Sequence, residues 1–196
     1  HYNLGNAYYA LKQWSEAGSA YCKAVEQQPD LAEAHYNLGL LAQERAQLDI
    51  ALRHYRHAAD LNPANLDALL NLALILKEGG RIAEAEACLR RLLQRDPKHA
   101  RGRVNLASIL VTMDDLEHAE PLCQEVLRDD PALAEAWLNL GVVRQARGDP
   151  NGAIAAFRRA LELKLDYQDA KYNLGIAQLL TGSFSPGWEN YEARWH

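Results

Sequence analysis

Asparagine recurs at Asn3, Asn37, Asn71, Asn105, Asn139 and Asn173, six times at an interval of 34 residues without one insertion, each followed by Leu and then by Gly or Ala. A fixed period of that length marks a repeated helix-turn-helix unit and constrains the fold more than any local motif does. One such unit cannot bury its own apolar face, so units must stack, and the core is supplied one interface at a time. The chain is therefore predicted to be a solenoid of helical hairpins rather than a globule around a single core.

The rest of the repeat falls into the same register. A small residue stands at Gly5, Gly39, Ala73, Ala107, Gly141 and Gly175, and an alanine at Ala17, Ala51, Ala85, Ala119 and Ala153, where two helices can approach closely. Four residues after each alanine comes a bulkier side chain: Tyr21, Tyr55, Leu89, Cys123 or Phe157. Pro29, Pro63, Pro97 and Pro131 close four of the units; lacking an amide donor and clashing with the preceding turn, each is expected to end a second helix. In the first helices, residues three and four apart such as Leu69, Leu72, Ala73 and Leu76 form the stripe that must be buried.

Trp137, Leu140, Gly141, Ala153, Phe157 and Ala160 make a pattern that resembles the tetratricopeptide repeat family, and the likeness covers essentially the whole chain. It implies an all-α fold, a right-handed α-solenoid of tandem helix-turn-helix units in one domain over 1–196. The repeats would run over 1–31, 32–65, 66–99, 100–133, 134–167 and a divergent, capping 168–196. The first is partial because the chain starts inside a first helix, and without an initiator Met the sequence reads as a piece of a longer protein.

Several function classes are disfavoured. The net charge of −5 is modest, both signs are interspersed, and the densest cationic group, Arg90, Arg91 and Arg95, sits at one helix end, so nucleic acid is not an expected partner. No signal peptide or membrane-spanning run is present, and a cytoplasmic location without membrane contact is the expectation. Cys22, Cys88 and Cys123 lie on second helices of different repeats without Cys-x-x-Cys spacing, which points to apolar fillers in a reducing compartment. There is no Gly-rich phosphate loop, His-Glu-x-x-His or Gly-x-Ser-x-Gly, so no enzyme activity and no cofactor is expected of these residues. His54 and His57 lie three apart on a second helix, but no third ligand is fixed by the sequence, and no metal site is expected.

A binding surface emerges from the helical angle. Asn139 follows Trp137 by two residues, about 200° around the axis, which takes it off the core stripe and onto a face with Glu135, Val142 and Ala146. The same register places Glu33 with Asn37, Asp67 with Asn71, Arg101 with Asn105 and Asp169 with Asn173 along an inner, concave wall. The expected peptide-binding set is therefore Asn3, Asn37, Asn71, Asn105, Asn139 and Asn173 with Glu33, Asp67, Arg101, Glu135 and Asp169. An amide group can pair with the backbone of an extended peptide whatever its side chains, while the carboxylates favour polar, hydroxyl-bearing or basic segments. The asparagines have a second role open to them, tying neighbouring repeats together through backbone carbonyls; Asn is a mediocre helix former, so one specific role or the other is expected.

The ladder is similar to the superhelical array of the O-linked N-acetylglucosamine transferase family, where such residues hold the substrate backbone, which implies a substrate or partner arm. The run Gly187, Trp188, Tyr191, Glu192, Arg194, Trp195 resembles the last unit before a glycosyltransferase-like domain in bacterial tetratricopeptide proteins, which would place a catalytic domain beyond His196. By spacing alone, Trp188, Tyr191 and Trp195 read as an aromatic cap on the last core layer. The carboxylate clamp of the family's chaperone-binding branch is not matched: Tyr2 and Tyr36 stand where its first lysine would fall and Asn71 where its arginine would, leaving Arg101 to meet an anionic chain end.

Two local departures remain. Pro150 is expected to tighten one inter-helix turn, and Leu165, in place of the closing proline of the fifth repeat, to bend that junction or lengthen its helix. The function expected is a module that binds protein or extended peptide segments. The alternative is self-association through open ends near Tyr2, Tyr8 and Tyr9 or through the groove.

Overall fold

The computed structural model describes residues 1–192, and among them every regular element is a helix. In chain order these are α1 (Tyr2–Ala10), α2 (Trp14–Gln27), α3 (Ala32–Glu44), α4 (Leu48–Leu61), α5 (Leu66–Glu78), α6 (Ile82–Arg95), α7 (Ala100–Thr112), α8 (Leu116–Asp129), α9 (Ala134–Ala146), α10 (Pro150–Leu163), α11 (Gln168–Leu180) and α12 (Phe184–Tyr191). They pair in sequence as six hairpins, which is the all-α fold of tandem hairpins that the period predicts. The hairpins group into two compact units, His1–Pro97 and Lys98–His196, with α1 to α6 in the first and α7 to α12 in the second.

The turn inside each hairpin follows one rule. Its middle residue sits in the left-handed region: Lys12, Ala46, Gly80, Asp114, Gly148 and Gly182 have φ between 55° and 81°. The residue after it donates its N–H five positions back to close the first helix, as Gln47 does to the Ala42 carbonyl at 2.8 Å and Asp149 to Arg144 at 2.9 Å. Glycine meets this requirement without strain at Gly80, whereas Ala46 carries a Cβ into it.

The junctions between hairpins correct two expectations. The second helices α2, α4, α6 and α8 stop at Gln27, Leu61, Arg95 and Asp129, two residues before their prolines. α10 stops at Leu163, two residues before Leu165, and has the same 14 residues, so the missing proline does not lengthen the helix. The backbone after α10 takes the shape found elsewhere: Lys164 has φ −141° and ψ 94°, Gln28 has φ −137° and ψ 88°. The turn is then held by the Tyr167 N–H on the Lys164 carbonyl at 3.2 Å, as the Leu31 N–H holds Gln28 at 3.2 Å. The chain after α10 thus takes the same path without a proline, so a proline is not what ends that helix. Pro150, for its part, lies not in the turn but at the first position of α10, where a missing N–H costs nothing; Asp149 caps that helix by accepting from the Gly152 N–H at 2.8 Å.

Packing within hairpins trades size for size. A methyl group added at Gly39 would lie 2.6 Å from Cδ1 and Cε1 of Tyr55, so only a hydrogen fits beneath that ring. Gly5 stands in the same relation to Tyr21, and Gly141 to Phe157. Where the second helix carries Leu89 or Cys123, the first carries Ala73 or Ala107, and all four are buried. In the last hairpin Gly187 replaces the usual alanine, and α12 comes in backbone-first: its Gly187 carbonyl oxygen would be 2.8 Å from a Cβ on Gly175. Between hairpins the apolar stripe closes the core as predicted, with Leu69, Leu72, Ala73 and Leu76 no more than 2% exposed.

Two substitutions test these points. Ala46→Gly relieves a left-handed residue and is expected to raise the stability of the chain by about 0.5 kcal/mol, the strain relief of about 1–2 kcal/mol being partly offset by a looser unfolded chain. Gly39→Ala forces the Tyr55 ring to shift and is expected to cost about 1–3 kcal/mol. Urea denaturation followed by helical circular dichroism reads both.

Candidate functional site

Five of the six asparagines are half-buried and Asn3 is exposed. The amide nitrogens of the five half-buried ones have partners within the protein, of two kinds. Asn37 on α3 donates to the Asn6 side chain on α1 at 3.0 Å, Asn71 on α5 reaches the Tyr36 hydroxyl on α3 at 3.4 Å, and Asn139 on α9 donates to the Val104 carbonyl on α7 at 3.0 Å. These three tie successive first helices within a unit. Asn105 and Asn173 instead turn back on their own helices, donating to the Arg101 and Asp169 carbonyls at 2.8 Å. An asparagine with one N–H so engaged keeps its second N–H.

In the first unit the bonds extend into a network of tyrosines that sequence reasoning did not single out. Asn6 also accepts from the Tyr21 hydroxyl at 2.8 Å, and the Tyr55 hydroxyl donates to Gln43 at 2.8 Å. Burial, followed by the nearby Tyr2, pushes the Tyr21 phenol up to about 12. Burial also raises Tyr55, next to Tyr36, and raises Tyr9, which feels the Glu44 carboxylate. The legible signal was the aromatic at one register, Tyr21 and Tyr55, opposite an amide on the first helix.

The predicted charged residues are all at the surface. Glu33, Asp67, Arg101, Glu135 and Asp169 are exposed, and none forms an ion pair with another described residue. In the second unit Glu135 and Asp169 act on one phenol: burial first, then these two carboxylates, push Tyr167 up to about 12. The Lys164 ammonium lies 4.4 Å from the centre of the same ring, a cation held against an aromatic face beside two carboxylates.

Three of the first helices carry, at one register, a donor aimed at the preceding loop. Trp137 Nε1 donates to the Pro131 carbonyl at 2.9 Å, and His35 Nε2 lies 3.0 Å from the Pro29 carbonyl in the same register. Arg103 occupies that register in the fourth repeat; it is 8% exposed and donates to Asp129 at 2.7 Å and to the Lys98 carbonyl at 3.4 Å. This bond to Arg103 holds the Asp129 carboxyl below its usual range.

The remaining sequence candidates divide. Cys88 and Cys123 are buried, with the Cys123 thiol pushed up to about 12 by burial, whereas Cys22 is exposed and fills no core. His57 and His54 are joined by the buried His35 of α3, although no group of three His, Cys, Asp or Glu among the described residues could hold a metal ion. At the C-terminus, Tyr191 packs on Tyr172 with ring centres 5.2 Å apart, but Trp188 stays 55% exposed, so the aromatic cap is only partly built there. Arg194 and Trp195 lie outside the described residues. No helix among the described residues is long and apolar enough to cross a membrane.

Paired helices with an alanine–aromatic core, left-handed inter-helix turns and an asparagine ladder define a tandem helical-hairpin repeat protein. Three models of the tetratricopeptide repeat match it, over residues 5–45, 40–108 and 134–167, together more than two thirds of the chain. The chain belongs to the tetratricopeptide repeat family. No curated protein matches its sequence significantly. Among solved structures, a tetratricopeptide repeat protein from Parabacteroides merdae is similar at a TM-score of 0.83 and 16% identity, covering 95% of this chain and 74% of that one. PilW, described as a widely conserved type IV pilus biogenesis factor, gives 0.79 and 18%, covering 98% and 89%. YrrB, described as having an unusual peptide-binding site, gives 0.67 and 20%, covering 90% and 91%. At these identities the likeness establishes the fold. None of these three descriptions names a glycosyltransferase.

An asparagine that ties two helices and an exposed one have different energetic consequences. Asn139→Ala leaves the Val104 carbonyl without its side-chain donor and is expected to lower stability by about 1 kcal/mol. Asn3→Ala, at an exposed position, is expected to leave the urea midpoint unchanged.

Proposed function

We propose that the first-helix faces bind extended protein segments with polar or basic side chains, and that the chain acts as a non-catalytic recognition scaffold. The observation that carries this reading is the set of exposed carboxylates at Glu33, Asp67, Glu135 and Asp169, which recur at the start of first helices and have no ion-pair partner among the described residues. In the first turn these carboxylates also favour the helix dipole, and being exposed they meet an approaching cationic segment in both units. Asn105 and Asn173, bonded among the described residues within their own helices, present the remaining amide N–H to a peptide carbonyl at no cost to packing between helices. Asn37, Asn71 and Asn139 serve chiefly to fix the helices that carry the face.

A peptide array probed with the whole chain tests the reading. Lys/Arg-containing extended peptides are expected to be retained. Glu33→Gln and Asp67→Gln together are expected to weaken that binding several-fold in low salt, and less at high salt, where exposed charges are screened. Asn105→Ala with Asn173→Ala is expected to weaken it for every retained sequence while the urea midpoint stays put. Binding indifferent to both pairs would remove this face as the site. A mass that rises with concentration in sedimentation equilibrium would favour self-association instead.

A further inference from the structure

Deep in the first unit, the ring of His35 on α3 lies between the loop before it and α4. It is 7% exposed, with Nε2 3.0 Å from the Pro29 carbonyl and Nδ1 3.2 Å from Nδ1 of His54. His57, one turn further along α4, sets its ring against His35 edge to face at 4.6 Å. We propose that His35 and His54 form an acid-sensitive latch, which joins α3, α4 and the loop between the first two hairpins at neutral pH and releases them in acid.

The hydrogen-bond geometry sets the proton count. A carbonyl only accepts, so His35 carries its proton on Nε2 and leaves a lone pair on Nδ1. The contact at 3.2 Å then requires His54 to donate from its own Nδ1. One added proton goes to the other ring nitrogen of His54, which keeps the single hydrogen between the two Nδ1 atoms but charges the ring. A second places N–H against N–H and breaks the contact, with two like charges on adjacent rings.

The surroundings give an added proton on His54 no compensation. His54 lines two clefts, one with Cys22 of α2 and Arg45 at the end of α3, the other with Arg53 and His57 of α4, and no carboxylate lines either. Asp30, next to Pro29 in the loop, is exposed. Burial first, then His35, Arg53 and His57, lowers the His54 imidazole from 6.5 to about 4. A folded value below the unfolded one means that the stabilisation is complete above the ordinary histidine value and is lost as pH falls from there towards the folded value.

The fifth repeat supplies the control. Trp137 and Ala156 stand three periods after His35 and His54, and Trp137 makes the same bond to the loop, Nε1 to the Pro131 carbonyl at 2.9 Å, with no group that titrates. The variant H35W/H54A transplants that arrangement.

Thermal melts of the whole chain at about pH 7 and about pH 5, with histidine-ring NMR followed from about pH 7 to below the folded His54 value of about 4, test the latch. Wild type is expected to melt several degrees lower in acid and H35W/H54A to lose clearly less. His54 is expected to be neutral with its proton on Nδ1 at pH 7, and the amides of residues 28–31 to exchange faster as it becomes charged. An equal acid loss in both proteins would overturn the proposal. So would a His54 that titrates at the ordinary histidine value without any change in those amides. If the double variant does not fold, H54A, which keeps the His35 bond to Pro29, is expected to show the smaller acid loss, and the NMR titration of wild type needs no variant.

Discussion

A hydrogen atom at Gly39 leaves the space in which the Tyr55 ring lies across its own hairpin, and the same contact recurs between Gly5 and Tyr21 and between Gly141 and Phe157. The contact sets the distance between the two helices, and that distance sets which side chains reach the next hairpin. Alanine on the first helix goes with a smaller partner on the second, Leu89 or Cys123, and both pairs are buried. The last hairpin shows the limit of the trade, since with Gly187 beside Gly175 the helices meet through backbone.

On that frame the polar groups do local work of different kinds at one register. Asn37, Asn71 and Asn139 join first helices within a unit, while Asn105 and Asn173 bond within their own helices. Asn6 is itself an amide that can accept, and Tyr36 and the Val104 carbonyl lie within reach. The register of His35, Arg103 and Trp137 behaves likewise: three unrelated side chains supply an N–H to the preceding loop. Chemistry at a repeat position is therefore fixed by the bond to be made, and identity by what else is nearby. At His35 the neighbour is another histidine, which turns a structural bond into a titratable one.

Much of the candidate site was legible as position and little of it as partnership. The angle of Asn139 from Trp137 places it off the core stripe, and the carboxylates at Glu33, Asp67, Glu135 and Asp169 are at the surface as that register implies. The convergence of Glu135 and Asp169 on Tyr167, and of Asn37 and Tyr21 on Asn6, joins residues from different repeats whose rotamers no periodicity encodes. The prolines misled for a physical reason: they accompany the ends of second helices without causing them, since α10 ends at the same register with Leu165.

The 34-residue period by itself determined the number and order of helices, the pairing of hairpins and the buried stripe, because helical geometry converts spacing into faces and a short repeat can bury its face only against a neighbour. Tertiary structure decided which amide bonds to which helix, that α10 stops two residues before Leu165, that Cys22 faces out while Cys88 and Cys123 face in, and that His35 meets His54. Those outcomes rest on distances of a few ångströms between residues far apart in the chain. They are set only once the hairpins have docked.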